Sequence, residues 1–251
     1  MAGLIAEGDL YFNKLDGAGV GEGWLPFGNA TQFEIEQPSD PKERISKQRN
    51  TYGSVLESVY IKQPGTLKVK IDDINIDNLA LAFLGKSLDT NVSAGVAVTD
   101  SLTVIKFSTF LKTVNPNISN VVVKDVTDTT TYVLDTDYSI IDAELGMIQV
   151  IDGGAIVLND VIHVTYDHTL RTSSKVQGGI ENAITVELLL KGNNLVNGEA
   201  IVVNCWKVKL APTTAVDFLN DEFVEIELDG RLELVTNKPS SFEVETGVKF
   251  A

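Results

Sequence analysis

The sequence predicts a mainly β protein: a β-sandwich or partial barrel with one or two short flanking helices, plus an inserted small β unit. Three observations carry that expectation. Val, Ile and Thr fill the periodic segments, and such residues suit a pleated, half-buried surface. Apolar and polar residues alternate over several runs, as they do in strands with one face in the core. Between residues 91 and 168, short apolar runs recur about every eight to twelve residues between Asn, Asp and Thr turns, the spacing of a small sandwich or barrel. The expected organisation is a discontinuous β domain, 1–90 with 169–251, interrupted by the segment 91–168.

Taken in order, residues 1–8 read as a free N-terminal arm, and Gly8–Lys14 as a first strand with Leu10 and Phe12 alternating against Tyr11 and Asn13. Asp16–Gly23 holds four glycines in eight residues. A dinucleotide-binding turn would need a helix next, but Trp24-Leu25-Pro26-Phe27 follows. The expectation there is a flexible loop and an apolar anchor.

The stretch from Asn29 to Ile76 organises the rest. Phe33 and Ile35 alternate against Gln32, Glu34 and Glu36, and later Leu67, Val69 and Ile71 alternate against Lys68, Lys70 and Asp72. Between these strands lies a long polar segment containing Asp40, Lys42, Glu43, Arg44, Lys47 and Arg49. Its four cations fall within eight residues of a chain with a formal net charge of −15. Most hairpin loops have two to five residues. A longer, basic one is expected to reach out and bind another copy of the same protein, so these six residues form the predicted subunit-interface loop.

Asn75–Gly85 reads as a helix. Asn75 caps it, Asp77 sits in the first turn, Ile76, Leu79, Ala80 and Phe83 form an apolar stripe, and Gly85 supplies a left-handed stop. Gly85-Lys86-Ser87 resembles the end of a phosphate-binding loop, but Ala80 stands where that loop needs its first glycine. In the inserted segment the runs Leu102–Phe107, Val121–Val126, Tyr132–Leu134, Tyr138–Asp142, Met147–Ile151 and Val161–Tyr166 read as strands. Asp125, Asp128, Asp135, Asp137 and Asp142 lack the spacing of a calcium loop and read as turn residues.

Long strands return at Ala183–Leu190, Ala200–Leu210, Phe223–Val235 and Ser241–Lys249, with a short helix expected over Thr213–Leu219. Val224, Ile226 and Leu228 alternate against Glu225, Glu227 and Asp229. Together with Glu34 and Glu36, these acids imply a consistently acidic sheet face.

No catalytic constellation can be assembled, and no enzyme activity is expected. His163 and His168 fall on opposite faces of one strand, and the carboxylates stand in rows, as on a solvated surface. Cys205 is the single cysteine, read as buried, so neither a disulfide nor a thiolate metal cluster is expected. No cofactor and no metal site is expected. The first residues lack a basic n-region, and no apolar run is long enough for a membrane helix. The acidic balance argues against groove-reading of nucleic acid.

Several phrases resemble the major tail tube proteins of long-tailed, siphovirus-type bacteriophages. They are Gly28-Asn29-Ala30-Thr31 leading into Phe33-Glu34-Ile35-Glu36-Gln37, then Lys42-Glu43-Arg44-Ile45-Ser46 and Asn78-Leu79-Ala80-Leu81-Ala82-Phe83-Leu84-Gly85. Asp137-Tyr138, Gly146-Met147-Ile148-Gln149-Val150 and Val161-Ile162-His163-Val164-Thr165-Tyr166 extend the resemblance across most of the chain. It implies a β-sandwich or partial barrel flanked by a helix, assembled as stacked hexameric rings around a DNA channel, with the long loop contacting adjacent subunits. On that resemblance Glu34, Glu36, Glu225, Glu227 and Asp229 are candidates to line the channel. Residues 91–168 would lie on the outer surface, other tail proteins would cap the tube ends, and DNA would pass transiently and non-specifically. The location implied is the virion tail, with no membrane. Six copies would carry −90 per ring, from six times −15. Two alternatives are the tube of a contractile injection or secretion apparatus, and a β-rich adhesin or carbohydrate-binding module. The second would have only Trp24 and Trp206 as tryptophan platforms.

Overall fold

The structure, a computed structural model, describes residues 3–248. In chain order its elements are β1 (Ala6–Leu15), β2 (Gly21–Pro26), β3 (Ala30–Glu36), β4 (Ser39–Ile45), β5 (Val55–Lys62), β6 (Thr66–Ile71) and α1 (Ile76–Ala82). There follow β7 (Lys86–Val92), β8 (Gly95–Thr103), β9 (Phe110–Lys112), β10 (Ile118–Asp125), β11 (Tyr138–Asp142), β12 (Met147–Val150), β13 (Val161–His168) and β14 (Arg171–Gln177). The chain ends with β15 (Ile184–Asn194), β16 (Ala200–Pro212), β17 (Ile226–Leu232) and β18 (Phe242–Val248). The protein is mainly β, with several antiparallel sheets and none of them closed.

Two units result: Met1–Leu88 with Lys175–Ala251, and Asp89–Ser174. The second starts two residues before 91 and ends six residues after 168. The paired strands β7 and β14 carry the chain across both boundaries.

The first unit is built on one large sheet in the order β2-β1-β15-β16-β17-β6-β3. β16 forks. Its first half, Ala200–Cys205, pairs with β18, and its second, Val208–Pro212, with β17. A register shift against β15 between Val186 and Leu188 marks the bend. β2 and β3 are the two ends of the sheet, yet only Phe27-Gly28-Asn29 separates them in sequence. Four Cα steps of 3.8 Å hold Pro26 and Ala30 within about 15 Å of each other, so the sheet must curl back towards itself. Phe27 fills the inside of that curl. It is fully buried, its ring centroid lies 4.6 Å from that of Phe12, and its backbone N–H donates to Leu10. Leu10, Leu67, Val69, Ile71, Val186, Val208, Leu210, Ile226 and Leu228 complete the same core.

Helix α1 packs against β16 and β17 and contributes Leu81 and Ala82 to that core. Asn75 caps it, its side-chain oxygen accepting from the backbone N–H groups of Asp77 and Asn78 at 3.0 and 2.9 Å. Two details depart from expectation. The buried face runs through Asn78, Ala80, Leu81 and Ala82, while Ile76, Leu79 and Phe83 are half-buried. The left-handed residue is Leu84, φ 48°, not Gly85. Gly85 is required for space, because a Cβ there would stand 2.3 Å from the carbonyl oxygen of Gln177.

Further corrections concern loops and ends. Residues 3–8 are not a free arm. β1 pairs with β15 from Ala6 onward, and Asn194 bonds to Gly3 and Ile5; residues 1 and 2 lie outside the described residues. The glycine-rich segment is a loop as far as Val20 and strand from Gly21, where β2 begins, and Trp24 and Leu25 are exposed with Phe27 alone as the anchor. Residues 213–219 form no helix. Thr213 and Thr214 instead hold the start of β17 through hydrogen bonds with Glu227. β17 begins at Ile226, so Phe223–Glu225 precede it.

In the second unit two three-stranded sheets, β10-β13-β8 and β11-β12-β9, share a core containing Val104, Ile118, Val123, Tyr138, Ile148, Ile162, Val164 and Tyr166. β13 alternates perfectly, with Ile162, Val164, Tyr166 and His168 buried. Strand β8 stops at Thr103, short of the expected Phe107, and Tyr132–Leu134 contributes only an isolated bridge, from Leu134 to Tyr138. The aspartates do act as turn residues. Asp125 accepts from Thr127, Thr129 and the N–H of Thr130, which lowers its carboxyl to about 2, and Asp137 accepts from Val133 and Ala155.

Candidate functional site

The predicted loop between β3 and β6 is itself a hairpin. β4 and β5 pair antiparallel from Ser39↔Lys62 to Ile45↔Val55 and form a separate two-stranded ribbon. Its base is tied by Gln63 N–H donating to Pro38 and by the Gln37 side chain donating to Gln63. Its tip is held by Ser46, which is buried. The backbone N–H of Ser46 donates to Ser54, its carbonyl accepts from Gly53, and its hydroxyl lies 2.7 Å from that of Thr51. Gly53, at φ +84°, makes the tip turn possible.

Between base and tip the ribbon has no cover among the described residues. Every residue of β5 is exposed. Val59 and Ile61 point to one face and Tyr60 to the other, and the register shift between Glu57 and Val55 puts Val55 on the side of Tyr60, with Val59 63% and Tyr60 70% exposed. An isolated two-stranded hairpin is marginally stable in water. This one presents apolar side chains on both faces, the pattern of a surface that is covered when it functions.

The cations of the loop are placed unequally. Lys42 pairs with Asp40 at 2.8 Å and Arg44 with Glu57 at 3.1 Å, both along the ribbon. Lys47 lies 5.2 Å from the ring centroid of Tyr52, and it and Arg49 sit at the tip with no carboxylate partner among the described residues. Glu43 stands opposite Ser58. Sequence reasoning singled out the charges and missed the apolar residues. The available signal was the run Val55-Leu56-Glu57-Ser58-Val59-Tyr60-Ile61.

The second candidate surface is the solvent side of β3, β6 and β17. Here the expectation of a consistently acidic face is corrected by the register. Glu34 of β3 stands opposite Lys68 of β6, and Lys68 and Lys70 stand opposite Asp229 and Glu227 of β17. A row of lysines therefore runs between the two acidic rows. Glu227 receives both. Lys68 is 3.2 Å from one carboxylate oxygen, and Lys70 bonds the other. The hydrogen bond from Lys70, then that from Lys68, lowers the Glu227 carboxyl below its ordinary range, and the same bond raises Lys70. Next along, Glu233 receives Lys207 and Lys209 at 2.9 Å each, which lowers it likewise. Glu225 precedes the strand and lies outside this ladder. Glu34, Glu36, Lys68, Lys209, Asp229 and Arg231 are among the residues lining a groove of about 530 Å³ on this face.

The remaining chemistry-bearing residues sit apart. His163 pairs with Asp128 at 2.9 Å, while His168 is buried with its Nδ1 3.4 Å from the Thr169 carbonyl. Cys205 is buried, and burial pushes its thiol up to about 12. Among the described residues no three His, Cys, Asp or Glu side chains converge to hold a metal ion, and no helix is long and apolar enough to cross a membrane.

These features define an open-edged antiparallel β protein with an uncovered hairpin arm and a charge-alternating sheet face. Residues 4–244 match the family described as "Protein of unknown function UCP028589", and the chain belongs to that family. No curated protein matches it.

Proposed function

We propose that this chain is the self-assembling subunit of a tube, of the kind formed by the major tail tube proteins of long-tailed bacteriophages. Six copies form a ring, the rings stack, and the curled sheet of the first unit acts as a partial barrel whose open edges β2 and β3 pair with neighbours. The observation that carries this reading is the β4–β5 hairpin, whose apolar residues on both faces need a partner to cover them. Open sheet edges are a hazard in a monomer and an asset in an assembly.

The mixed ladder alters how the channel works. Glu34, Glu36, Glu227 and Asp229 can face DNA, but Lys68 and Lys70 among them halve the negative charge of that row, from −4 to −2. Repulsion of DNA then comes from the −15 of each whole subunit. Residues 89–174 decorate the outside of the tube, the tube belongs to the virion tail, and its ends join other tail proteins.

Negative-stain microscopy of the purified protein over a concentration series tests the proposal. Rings or hollow tubes are the expected result. A strict monomer at the highest concentration overturns it.

A further inference from the structure

A second uncovered apolar surface lies in the 213–225 segment between β16 and β17. Leu219 is 93% and Phe223 97% exposed, and Phe218 is exposed apart from its contact with the Phe83 ring at 6.0 Å. The segment carries Asp217, Asp221, Glu222 and Glu225, no cation, and no ion pair among the described residues. The hairpin tip is its chemical opposite. Residues 44–56 hold three cations and no acid, with Tyr52, Val55 and Ile45 exposed beside them.

The register sets the two surfaces at opposite ends of the same strands. Ile226, the first residue of β17, stands opposite Ile71, so the acidic segment leaves at that end. Glu36 and Thr66, where the hairpin departs, are level with Arg231. Five strand steps, about 17 Å, separate the two levels. One end of the sheet therefore offers a basic apolar tip and the other an acidic apolar loop.

We infer that the hairpin tip of one copy docks on the 213–225 loop of a second copy, a head-to-tail contact that rests on the assembly reading above. Apolar contact between Tyr52 and Val55 on one side and Leu219 and Phe223 on the other supplies the burial. Lys47 and Arg49 against Asp221 and Glu222 set orientation and rate of encounter. A contact between two different surfaces does not satisfy itself within a pair. It propagates, which is how a stack grows.

A charge swap in the full-length protein tests this, read by sedimentation velocity and microscopy with circular dichroism as the check on folding. Lys47→Glu with Arg49→Glu is expected to lower the assembled fraction at least tenfold, and so is Asp221→Lys with Glu222→Lys. Combining all four is expected to restore assembly. If wild-type protein assembles while either reversed pair assembles equally well, or the combination fails to rescue, this contact is overturned and the assembly reading stands. If wild-type protein never assembles, both fall. Independently, mixing an Arg49→Cys copy with a Phe223→Cys copy under mild oxidation is expected to give a disulfide-linked heterodimer, the native Cys205 being buried. Absence of that product in assembled wild-type-like particles overturns the contact.

Discussion

Lys70 of β6 and Glu227 of β17 face each other in register and join side chain to side chain, while Lys68 reaches the same carboxylate from 3.2 Å. One carboxylate thus bridges two cations on a face where acidic and basic rows alternate. The bridge ties β6 to β17 on their solvent side.

The bond makes the sheet acid-sensitive. Glu227 is held below its ordinary value by Lys70 and Lys68, so its contribution to stability is present above the unfolded value, ~4.3, and is lost as pH falls through the lowered folded value. Glu227→Gln is expected to lower Tm at pH 7. The gap between variant and wild type should close as pH drops toward 3. Scanning calorimetry across that range checks it, and a gap independent of pH would refute the assignment.

Asn78 is the polar keystone of the first unit. It is fully buried, and its Nδ2 donates to the carbonyls of Phe27 at 2.9 Å and Asp73 at 2.7 Å, joining α1 to the link between β2 and β3. The two carbonyls fix the amide orientation, which leaves Oδ1 without a partner. Asn78→Ala strands both carbonyls and should cost about 2–4 kcal/mol, since unpaired buried polar groups cost ~1–3 kcal/mol each. Urea denaturation measures this. A change under 1 kcal/mol would mean that the helix does not depend on this anchor.

Removing the hairpin should separate folding from assembly. β3 and β6 pair directly, Glu36 with Thr66, and the base is closed by Gln37, Pro38 and Gln63. Replacing residues 40–61 by a short glycine linker therefore leaves the core intact. The expected product is a folded, β-rich monomer with an almost unchanged Tm. Normal tubes from this variant would deny the arm its role.

What could be read from the chain alone depended on whether the signal was local. Alternation exposed Leu67-Val69-Ile71 and Ile162-Val164-Tyr166 because one face of each strand is buried and the other is not. β5 escaped notice because both of its faces are uncovered, so its apolar residues do not alternate. The acidic face failed for a different reason. Each strand does carry its acids on one side, but only the register places Lys68 and Lys70 between them, and register is a property of pairs. Leu84 takes the left-handed position one residue before Gly85, and the role of Gly85, room for the Gln177 carbonyl, is set by a residue far along the chain.

The second unit should fold by itself. Its core of Val104, Ile118, Val123, Tyr138, Ile148, Ile162, Val164 and Tyr166 is drawn wholly from residues 89–174. Its largest fully buried side chain, Tyr166, is also satisfied within the unit. The hydroxyl donates to Asp100 at 2.7 Å and accepts from the backbone and side chain of Asn115 at 3.2 Å, while Asp100 also accepts from the N–H of Val114. Nothing in this network waits on the rest of the chain. A fragment of residues 89–174 is expected to show a cooperative thermal transition and dispersed amide resonances. In it, Tyr166→Phe should lose about 1–3 kcal/mol, because Asp100 is left with one donor fewer and hydrogen bonds to charged groups are the stronger kind. A fragment that stays unfolded would show instead that the strands β7 and β14 at its boundaries must be held by the first unit before this core can form.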